Sequence, residues 1–432
     1  MPGQESLGER IRNLRLRRNM SQAQLAWPEL SDSYVSLIES GKRTPAPSMV
    51  ALLARKLDCS ASYLTTGVTQ EAMTGLQETL GYAHIALQNG AVEEARIRFA
   101  EVLSHPALAE LPAVMHEARW GHALALEATG ALEDAIGELQ RAAQTISPLT
   151  EPDRWAELHI ALSRCHWDNG DLAESIRLGE GALEQLAQTG GAWTETMVML
   201  GATVLAAYEQ RGDLAYAQRL AAVLTAHAEA IGTPKALMAA HWNAAWVADL
   251  RGDAHEALKL SERAMALLGE EDDPRNLSRL RMAYGYFLLC AHPEQAERAR
   301  DVLRQSEREM ESSAASTVDT AGCLIHQARA EMTLGRPVEG AALARRATQL
   351  LTGTAGLTIA EAYTVLGQAC VRLDRREEAV AALSQAVEYL EKMQAHRPAA
   401  RAWFDLAELF GAGGQADDQK TAFQRALSCM GL

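Results

Sequence analysis

The sequence has few cysteines, and they form no metal-binding or disulfide pattern. Six cysteines are scattered through 432 residues without a C-x-x-C pair, which is typical of a reducing compartment. His159 and His166 lie close together but have no second pair of metal ligands nearby. Phosphate-binding loops, zinc-protease motifs, nucleophile elbows and the alternating strand pattern of α/β enzymes are also absent. We therefore expect no metal, no cofactor and no enzymatic activity.

Long apolar segments are absent as well. Apolar runs such as Leu200–Tyr208 are far too short to span a bilayer. The N-terminal residues contain several arginines but not the apolar stretch of a secretion signal. These absences predict a soluble, cytoplasmic protein that does not associate with membranes.

Positive charge is scarce except at the N-terminus. The chain has a net charge of −15, yet residues 1–67 contain nine Lys and Arg against six Asp and Glu. That segment therefore carries +3, and the remainder carries −18. Phosphates attract cations and repel an acidic body, so any nucleic-acid contact is expected at the N-terminus.

Two short helical patterns lie close together between Ser21 and Pro45. Ser21 and Ser31 each stand where a side-chain oxygen can cap the helix that follows. Pro28 separates the two patterns, and Gly41 provides a left-handed stop after the second. A helix, a tight turn and a second helix form the geometry that places the second helix in a major groove of DNA.

Further helices complete a small domain around this pair. An amphipathic helix is predicted over about Ser6–Arg18, with Leu7, Ile11 and Leu14 facing inward. The arginines dense enough to reach phosphate are Arg10, Arg12, Arg15, Arg17 and Arg18. Two more helices are predicted over about 49–57 and 60–64, the first with Met49, Leu52, Leu53 and Leu57 as its core positions. Residues 1–67 are therefore predicted to form a five-helix DNA-binding domain.

The segments LGERIRNLR, MSQAQLA, YVSLIESGKRTP and LARKLDCSASYL resemble the phage-repressor-like XRE family of helix-turn-helix regulators over roughly residues 6–67. The resemblance implies a phosphate contact by Gln22 and an internal pair between Arg15 and Glu39. The residues that it places on the DNA backbone after the recognition helix are Ser40, Lys42 and Arg43. Those that it places near base edges are Asp32, Ser33, Tyr34, Ser36 and Leu37.

The segment between Ala26 and Val35 departs from the family, because it is one residue shorter and lacks the usual glycine. The residues near the bases also lack the Arg, Asn and Gln side chains that make two-point contacts to guanine or adenine. We therefore expect that hydroxyl groups, waters and DNA shape contribute to sequence recognition.

A repeated pattern fills the rest of the chain, residues 68–432. A turn residue is followed five positions later by a small residue in most copies, at intervals of 39 to 44 residues. The pairs are Gly90/Ala95, Gly130/Ala135, Gly170/Ser175, Gly212/Ala217, Gly252/Ala257, Ala291/Ala296, Gly335/Gly340, Asp374/Ala379 and Gly414/Gln419. Each unit is predicted to be two antiparallel helices that must stack on their neighbours, and the pattern resembles the tetratricopeptide repeat. The predicted fold is all-α, a five-helix domain followed by an α-solenoid of about nine repeats.

The first helix of each repeat is expected to line an inner face. Counting back from the turns, as the inner faces of tetratricopeptide repeats imply, selects an aromatic patch with a few charges, the composition of a ligand site. The candidate ligand-binding residues are Trp120, Arg164, Trp167, Trp242, Asn243, Trp246, Asp249, Arg281 and Arg329. Tryptophans at helical spacing can equally serve packing, so this alternative stays open.

The whole arrangement resembles the RRNPP intracellular peptide-pheromone receptors of quorum sensing and the XRE regulators with such repeats found in actinobacteria. This resemblance implies a transcription regulator that binds double-stranded DNA as a homodimer, at a pseudo-palindromic operator. It also implies that a peptide or small-molecule signal binds the repeats and alters operator binding. The alternative is a protein-interaction scaffold whose DNA-binding domain is vestigial.

Overall fold

The structure, a computed structural model, describes residues 6–268, 274–351, 356–392 and 396–430. All regular secondary structure in these residues is helical, which confirms the all-α prediction. The chain divides into two compact units. The first unit comprises residues 1–85 and 94–121, and the second comprises residues 86–93 and 122–432. No helix in the described residues is both long and apolar enough to cross a membrane.

Eight α-helices begin in the described residues up to 121, and the 3-10 helix Pro106–Glu110 lies between the last two. The α-helices are α1 (Leu7–Arg17), α2 (Gln22–Ala26), α3 (Asp32–Glu39), α4 (Pro47–Lys56), α5 (Ala61–Thr66), α6 (Gln70–Gln88), α7 (Val92–Ser104) and α8 (Pro112–Ala128). Helix α5 ends at Gly67, which has a φ of 75°, and α6 begins three residues later. The proposed division into domains 1–67 and 68–432 stays a prediction.

Serine side chains fix the starts of the short helices. Ser21 accepts a hydrogen bond from the amide of Gln24 at 3.1 Å, and Ser31 accepts one from the amide of Tyr34 at 3.2 Å. Both predicted caps are therefore confirmed. Such a cap satisfies an amide that has no partner inside the helix, which stabilises a helix as short as α2.

An apolar core and one close backbone contact hold α1 to α5 together. The fully buried side chains are those of Ile11, Leu25, Val35, Ile38, Leu53, Leu57 and Leu64. At Gly8, the Cβ of any other residue would lie 2.3 Å from the carbonyl oxygen of Ile38. Glycine therefore lets α1 approach the end of α3 more closely than any other residue could.

The second unit continues as pairs of helices. They are α9 (Leu132–Ala143), α10 (Pro152–Asp168), α11 (Leu172–Gln188), α12 (Glu195–Arg211), α13 (Leu214–Ile231), α14 (Pro234–Leu250), α15 (Ala254–Ala266), α16 (Pro274–Ala291), α17 (Ala296–Glu311), α18 (Thr317–Thr333), α19 (Pro337–Leu350), α20 (Leu357–Arg372), α21 (Arg376–Lys392), α22 (His396–Ala412) and α23 (Ala416–Cys429). Helix α10 packs on α11 and α12, and α18 packs on α19 and α20. A first helix thus contacts its own second helix and the first helix of the next repeat, which is the packing of tetratricopeptide-like repeats.

The predicted turns have the backbone that the repeat pattern requires. The turn glycines have φ values between 71° and 90°, and Asp374 has a φ of 57°. The small residues five positions later, from Ala95 through Ala379, are buried against neighbouring helices. The exception is the turn after Ala291, where the short 3-10 helix Pro293–Gln295 replaces the glycine turn.

Turns of early repeats in the second unit lie against later repeats of the same unit. A Cβ at Gly90 would lie 2.8 Å from the carbonyl oxygen of Ser313, and a Cβ at Gly130 would lie 2.9 Å from the hydroxyl of Thr317. A Cβ at Gly356 would lie 2.2 Å from the carbonyl oxygen of Asp168. Segments far apart in sequence therefore meet through backbone and small side chains.

Candidate nucleic-acid interface and candidate ligand site

Helix α3 has one face in the core and one face exposed. Val35, Ile38 and Glu39 are buried. Four of the five residues predicted to lie near base edges are exposed, namely Asp32, Ser33, Ser36 and Leu37, and the fifth, Tyr34, is half-buried. The exposed face offers hydroxyl groups, one carboxylate and one aliphatic side chain.

The residues predicted to contact the DNA backbone follow α3 directly. Ser40, Lys42 and Arg43 are exposed. The carbonyl oxygen of Leu37 accepts hydrogen bonds from the amides of Lys42 and Arg43, at 3.0 and 3.2 Å. The guanidinium of Arg43 lies 4.9 Å from the centroid of the Tyr34 ring. These contacts place both cations beside the exposed face of α3.

A buried ion pair holds α3 to α1. Two nitrogens of Arg15 donate to the two carboxylate oxygens of Glu39, at 2.6 and 2.9 Å. A third nitrogen of Arg15 donates to the carbonyl oxygen of Met20 at 2.8 Å. Burial would raise the pKa of Glu39, but the hydrogen bonds from Arg15 and Gln22 lower it below its usual value. The predicted internal pair is confirmed.

Gln22 belongs to the same network. Its side-chain amide donates to Glu39 at 2.8 Å, and the residue is half-buried. The structure thus places Gln22 at the ion pair, and its predicted contact with a phosphate stays a prediction. Arg10 is also used internally, because it is buried and donates to the carbonyl oxygens of Leu64 and Thr65 at 2.9 and 2.6 Å. The expectation that it reaches phosphate is wrong.

Lys56 holds the turn between α2 and α3, which lacks the usual glycine. Its ammonium group donates to the carbonyl oxygens of Leu25 and Ala26, at 3.1 and 3.2 Å, and to that of Trp27. The same group lies 2.5 Å from the carboxylate of Glu29. A cation that binds the last carbonyl groups of α2 also interacts favourably with the helix dipole.

In the repeats, all nine candidate ligand-binding residues are half-buried. Trp246, Asp249 and Arg329 meet around Tyr286, which sequence reasoning missed. The Tyr286 ring stacks on Trp246 with 5.5 Å between centroids, and its hydroxyl donates to Asp249 at 3.2 Å. The guanidinium of Arg329 lies 5.6 Å from the same ring. The imidazole of His326 also stacks on the Tyr286 ring, with 4.5 Å between centroids, which completes an aromatic cluster.

Burial shifts the titration of this aromatic cluster. It lowers the pKa of His326 to about 4 and raises the pKa of Asp249. Arg329 also pairs with Glu361 at 2.7 Å. The cluster therefore holds a neutral imidazole at neutral pH and fills its own space with ring and ion-pair contacts.

A second cluster consists of charged side chains from four first helices. Glu127 on α8 is completely buried and accepts two hydrogen bonds from Arg164 on α10, both at 2.6 Å. It also accepts one from Arg275 on α16 at 2.9 Å. Burial alone would raise the pKa of Glu127, but the two guanidinium groups lower it to about 2.

Arg275 connects this group to α18. Its Nε donates to Asp319 at 2.8 Å, and Arg279 lies 3.0 Å from the other oxygen of the same carboxylate. The guanidinium of Arg279 lies 5.3 Å from the centroid of the Trp242 ring. Burial, with the neighbouring carboxylates of Asp319 and Glu127, raises the pKa of Asp168 to about 7.

Comparison with known proteins identifies two segments of the chain. Residues 11–64 match the helix-turn-helix family, and residues 360–389 match a tetratricopeptide repeat. The first unit carries a helix-turn-helix domain. The resemblance of the sequence to a helix-turn-helix regulator with tetratricopeptide-like repeats is thereby confirmed. Among curated proteins, no sequence gives a significant match.

Several solved structures align with this chain. The Rap protein complexed with Competence and Sporulation Factor aligns with a TM-score of 0.54 at 10% identity, covering 83% of this chain and 98% of Rap. PlcR from Bacillus thuringiensis, in complex with the peptide PapR7 and DNA, aligns with a TM-score of 0.32 at 17% identity, covering 71% of this chain and 95% of PlcR. PH0952 from Pyrococcus horikoshii, a STAND protein with a tetratricopeptide repeat sensor, aligns with a TM-score of 0.44 at 13% identity, covering 100% of this chain and 66% of PH0952.

Some candidate residues of the repeats lie outside both clusters. Arg281 pairs with Glu309 on α17, within its own repeat, and its position was counted from a turn that contains the 3-10 helix Pro293–Gln295. The amide of Asn243 donates to the carbonyl oxygen of Ala239 on its own helix, at 2.9 Å. The two remaining tryptophans, Trp120 and Trp167, are half-buried.

Sequence reasoning missed five residues of the charged cluster. Glu127 lies three positions before Gly130, where the counting rule does place an inner-face residue. A lone glutamate among alanines and leucines was the available signal. Arg275 and Arg279 lie one turn apart on α16, but their repeat has no glycine turn from which to count. Asp168 and Asp319 become recognisable only when the early and late repeats are brought together.

The described repeats also contain a cleft of about 520 Å³ between α13, α14 and α15. It is lined mostly by small side chains, and Arg251 and Glu256 contribute its charges. None of the nine candidate ligand-binding residues lines it. In the described part of the chain, no group of three or more His, Cys, Asp or Glu side chains is arranged to hold a metal ion.

Proposed function

We propose that the protein is a sequence-specific DNA-binding transcription regulator whose helix-turn-helix domain inserts α3 into the major groove. The observation that carries this proposal is the division of α3 into two faces. Its inner face is fixed by the apolar core and by the pair between Arg15 and Glu39. Its outer face is exposed along its whole length. A helix held in this way presents side chains to base edges without further rearrangement.

The outer face of α3 carries side chains that can recognise bases with limited selectivity. The carboxylate of Asp32 can accept a hydrogen bond from a cytosine amino group, and Leu37 can pack against a thymine methyl group. The hydroxyl groups of Ser33 and Ser36 can bind several bases, directly or through water. Lys42 and Arg43 would neutralise phosphates, which supplies affinity but little sequence information.

The repeats would act as the signal-binding and pairing part of this cytoplasmic regulator. We place the signal, a peptide or a small molecule, on the inner face that carries the nine half-buried candidate residues. The fold similarity to Rap, solved with Competence and Sporulation Factor, is compatible with a peptide. Two copies of the chain would place their α3 helices in successive major grooves about 34 Å apart on a pseudo-palindromic operator.

Fluorescence anisotropy with a DNA fragment selected by the full-length protein tests the DNA-binding proposal. Lys42→Ala and Arg43→Ala should weaken binding to all sequences and each reduce the salt slope by about 1. Ser36→Ala and Leu37→Ala should instead change the sequence preference. Lys392→Ala, which removes an exposed cation of the second unit, should leave affinity unchanged.

Two results would contradict the proposal. Sequence-independent binding that is insensitive to Lys42→Ala and Arg43→Ala would favour the scaffold with a vestigial DNA-binding domain. A monomer in light scattering that protects a single unrepeated site would contradict the homodimer.

A further inference from the structure

The charged cluster joins parts of the second unit that are far apart in the sequence. Glu127 and Arg275, whose side chains meet at 2.9 Å, are separated by 148 residues. Glu127 belongs to α8, and its second partner Arg164 belongs to α10. Arg275 and Asp319 belong to α16 and α18. The cluster therefore lies where two early first helices meet two late ones.

Neighbouring repeats are held together by a different kind of contact. Apolar clusters join adjacent helices, as around Phe287 on α16 and around Val365 on α20. Burial of such side chains is strongly favourable and does not depend on exact orientation. The apolar clusters of the described residues account for the stacking of one repeat on the next.

In the described residues, ion pairs and close backbone approaches join the early repeats to the late ones. The backbone approaches include those of Gly90 to Ser313 and of Gly356 to Asp168. Charges taken out of water lose several kcal/mol of hydration each, and their mutual attraction roughly restores that loss only when the geometry is good. Such a junction contributes little net stabilising free energy and depends strongly on the relative positions of its charged groups. It can therefore open without unstacking the repeats.

We propose that Glu127, Arg164, Asp168, Arg275, Arg279 and Asp319 form a latch that fastens the early repeats of the second unit to its late repeats. When the latch opens, the early repeats separate from the late repeats while each repeat stays stacked on its neighbours. The proposal does not depend on DNA binding or on the identity of a signal, and it would hold for a protein-binding scaffold as well.

Asp168 takes part in the latch through both its side chain and its backbone. The charges of Asp319, Glu127, Arg275 and Arg279 act on its carboxyl group, and a Cβ at Gly356 would lie 2.2 Å from its carbonyl oxygen. Three guanidinium groups thus face two carboxylates of low pKa and one of raised pKa. Loss of any one ionised carboxylate leaves guanidinium charge without a partner in a poorly hydrated place.

Hydrogen-exchange mass spectrometry and small-angle X-ray scattering on the full-length protein test the latch. Glu127→Gln keeps the shape of the side chain and removes its charge. We expect exchange to become roughly tenfold faster in α8, α10, α16 and α18 together, and the radius of gyration to increase. The control is Glu174→Gln, which removes a surface partner of Arg177 in the same unit and should change exchange only within α11.

Gly356→Ala opens the same junction without changing a charge, and it decides the matter if Glu127→Gln does not fold. It should increase exchange in α10, α18 and α20 while circular dichroism stays helical. The latch is refuted if Glu127→Gln accelerates exchange in α8 alone with an unchanged radius of gyration. It is equally refuted if Gly356→Ala affects only α20.

Discussion

Both units bury an arginine against a carboxylate, but they use the pair differently. In the first unit, Arg15 and Glu39 are 24 residues apart and lie beside an apolar core that already joins their helices. In the second unit, Arg275 and Glu127 are 148 residues apart and join repeats that the described apolar clusters do not connect directly. The same chemistry therefore holds α3 to α1 in one unit and joins distant repeats in the other.

The largest effect is expected from breaking the pair in the first unit. Glu39→Ala leaves Arg15 buried without its partner, which costs about 3 to 5 kcal/mol of unfolding free energy. Hydrogen exchange in α1 to α5 of the full-length protein measures this loss of unfolding free energy. Asp58→Asn, which removes the charge of an exposed partner of Arg18 and suits the φ of 43° at this position, should cost about 0 to 1 kcal/mol. Equal effects of the two substitutions would contradict the distinction between buried and exposed pairs.

Effects of intermediate size are expected from substituting one glycine in each unit. Gly8→Ala and Gly356→Ala each place a methyl group less than 2.5 Å from a carbonyl oxygen. Gly8→Ala should destabilise the helix-turn-helix domain by about 1 to 3 kcal/mol and weaken DNA binding, because α1 must move away from α3. Gly356→Ala should instead open the latch with less effect on stability, as hydrogen exchange would measure.

Gly75→Ala and Gly181→Ala are the controls for this comparison. Each glycine lies inside a helix, with no atom within 4 Å of the added methyl group. Both substitutions should stabilise their helix by about 0.5 to 1 kcal/mol. If Gly356→Ala unfolded the second unit as completely as a core substitution, the junction would be a structural seam and not a latch.

Local sequence patterns predicted much of the fold. Serine caps, turn glycines and the small residue five positions after each turn have causes within a few residues, and the structure contains them. The core register of α4 was partly wrong, because Val50 and Ala54 are buried where Met49 and Leu52 were expected. A short helix made mostly of apolar and small residues has more than one face that could be buried, so the sequence pattern alone does not determine which one is.

The candidate site was harder to predict wherever its parts come from distant repeats. The nearest sequence signal for Glu127 was a charge inside an apolar helix, and nothing in its neighbourhood names Arg275 as a partner. Arg281 shows the opposite problem, since a counting rule was applied across a repeat that has no glycine turn. Periodicity therefore identifies a face of each helix, and only the stacking of many repeats decides which faces meet.

The smallest effect concerns the pH dependence of the second unit. Asp168 has a pKa raised to about 7 by burial and by Asp319 and Glu127, with Arg275 and Arg279 opposing that shift. The folded state therefore retains a proton that the unfolded state releases near pH 4, and stability falls as the pH rises through 7. Asp168→Asn removes this contribution.

Urea midpoints at pH 5 and pH 8 measure the difference between the two proteins. The wild type should lose more stability than Asp168→Asn over this interval. The comparison between proteins is needed because His326, with a pKa lowered to about 4, changes stability in the opposite direction. A pH dependence that is identical in the two proteins would contradict the placement of Asp168 in the charged cluster.

The central claim is that the exposed face of α3 reads DNA sequence, and selection of random duplexes by the full-length protein tests it most directly. The account predicts enrichment of one pseudo-palindromic sequence with half-sites about 34 Å apart. It also predicts that Ser36→Ala and Leu37→Ala shift the enriched sequence, while Lys42→Ala weakens binding without shifting it. Failure to enrich any sequence, or an enriched sequence unaffected by all changes on α3, would contradict the claim.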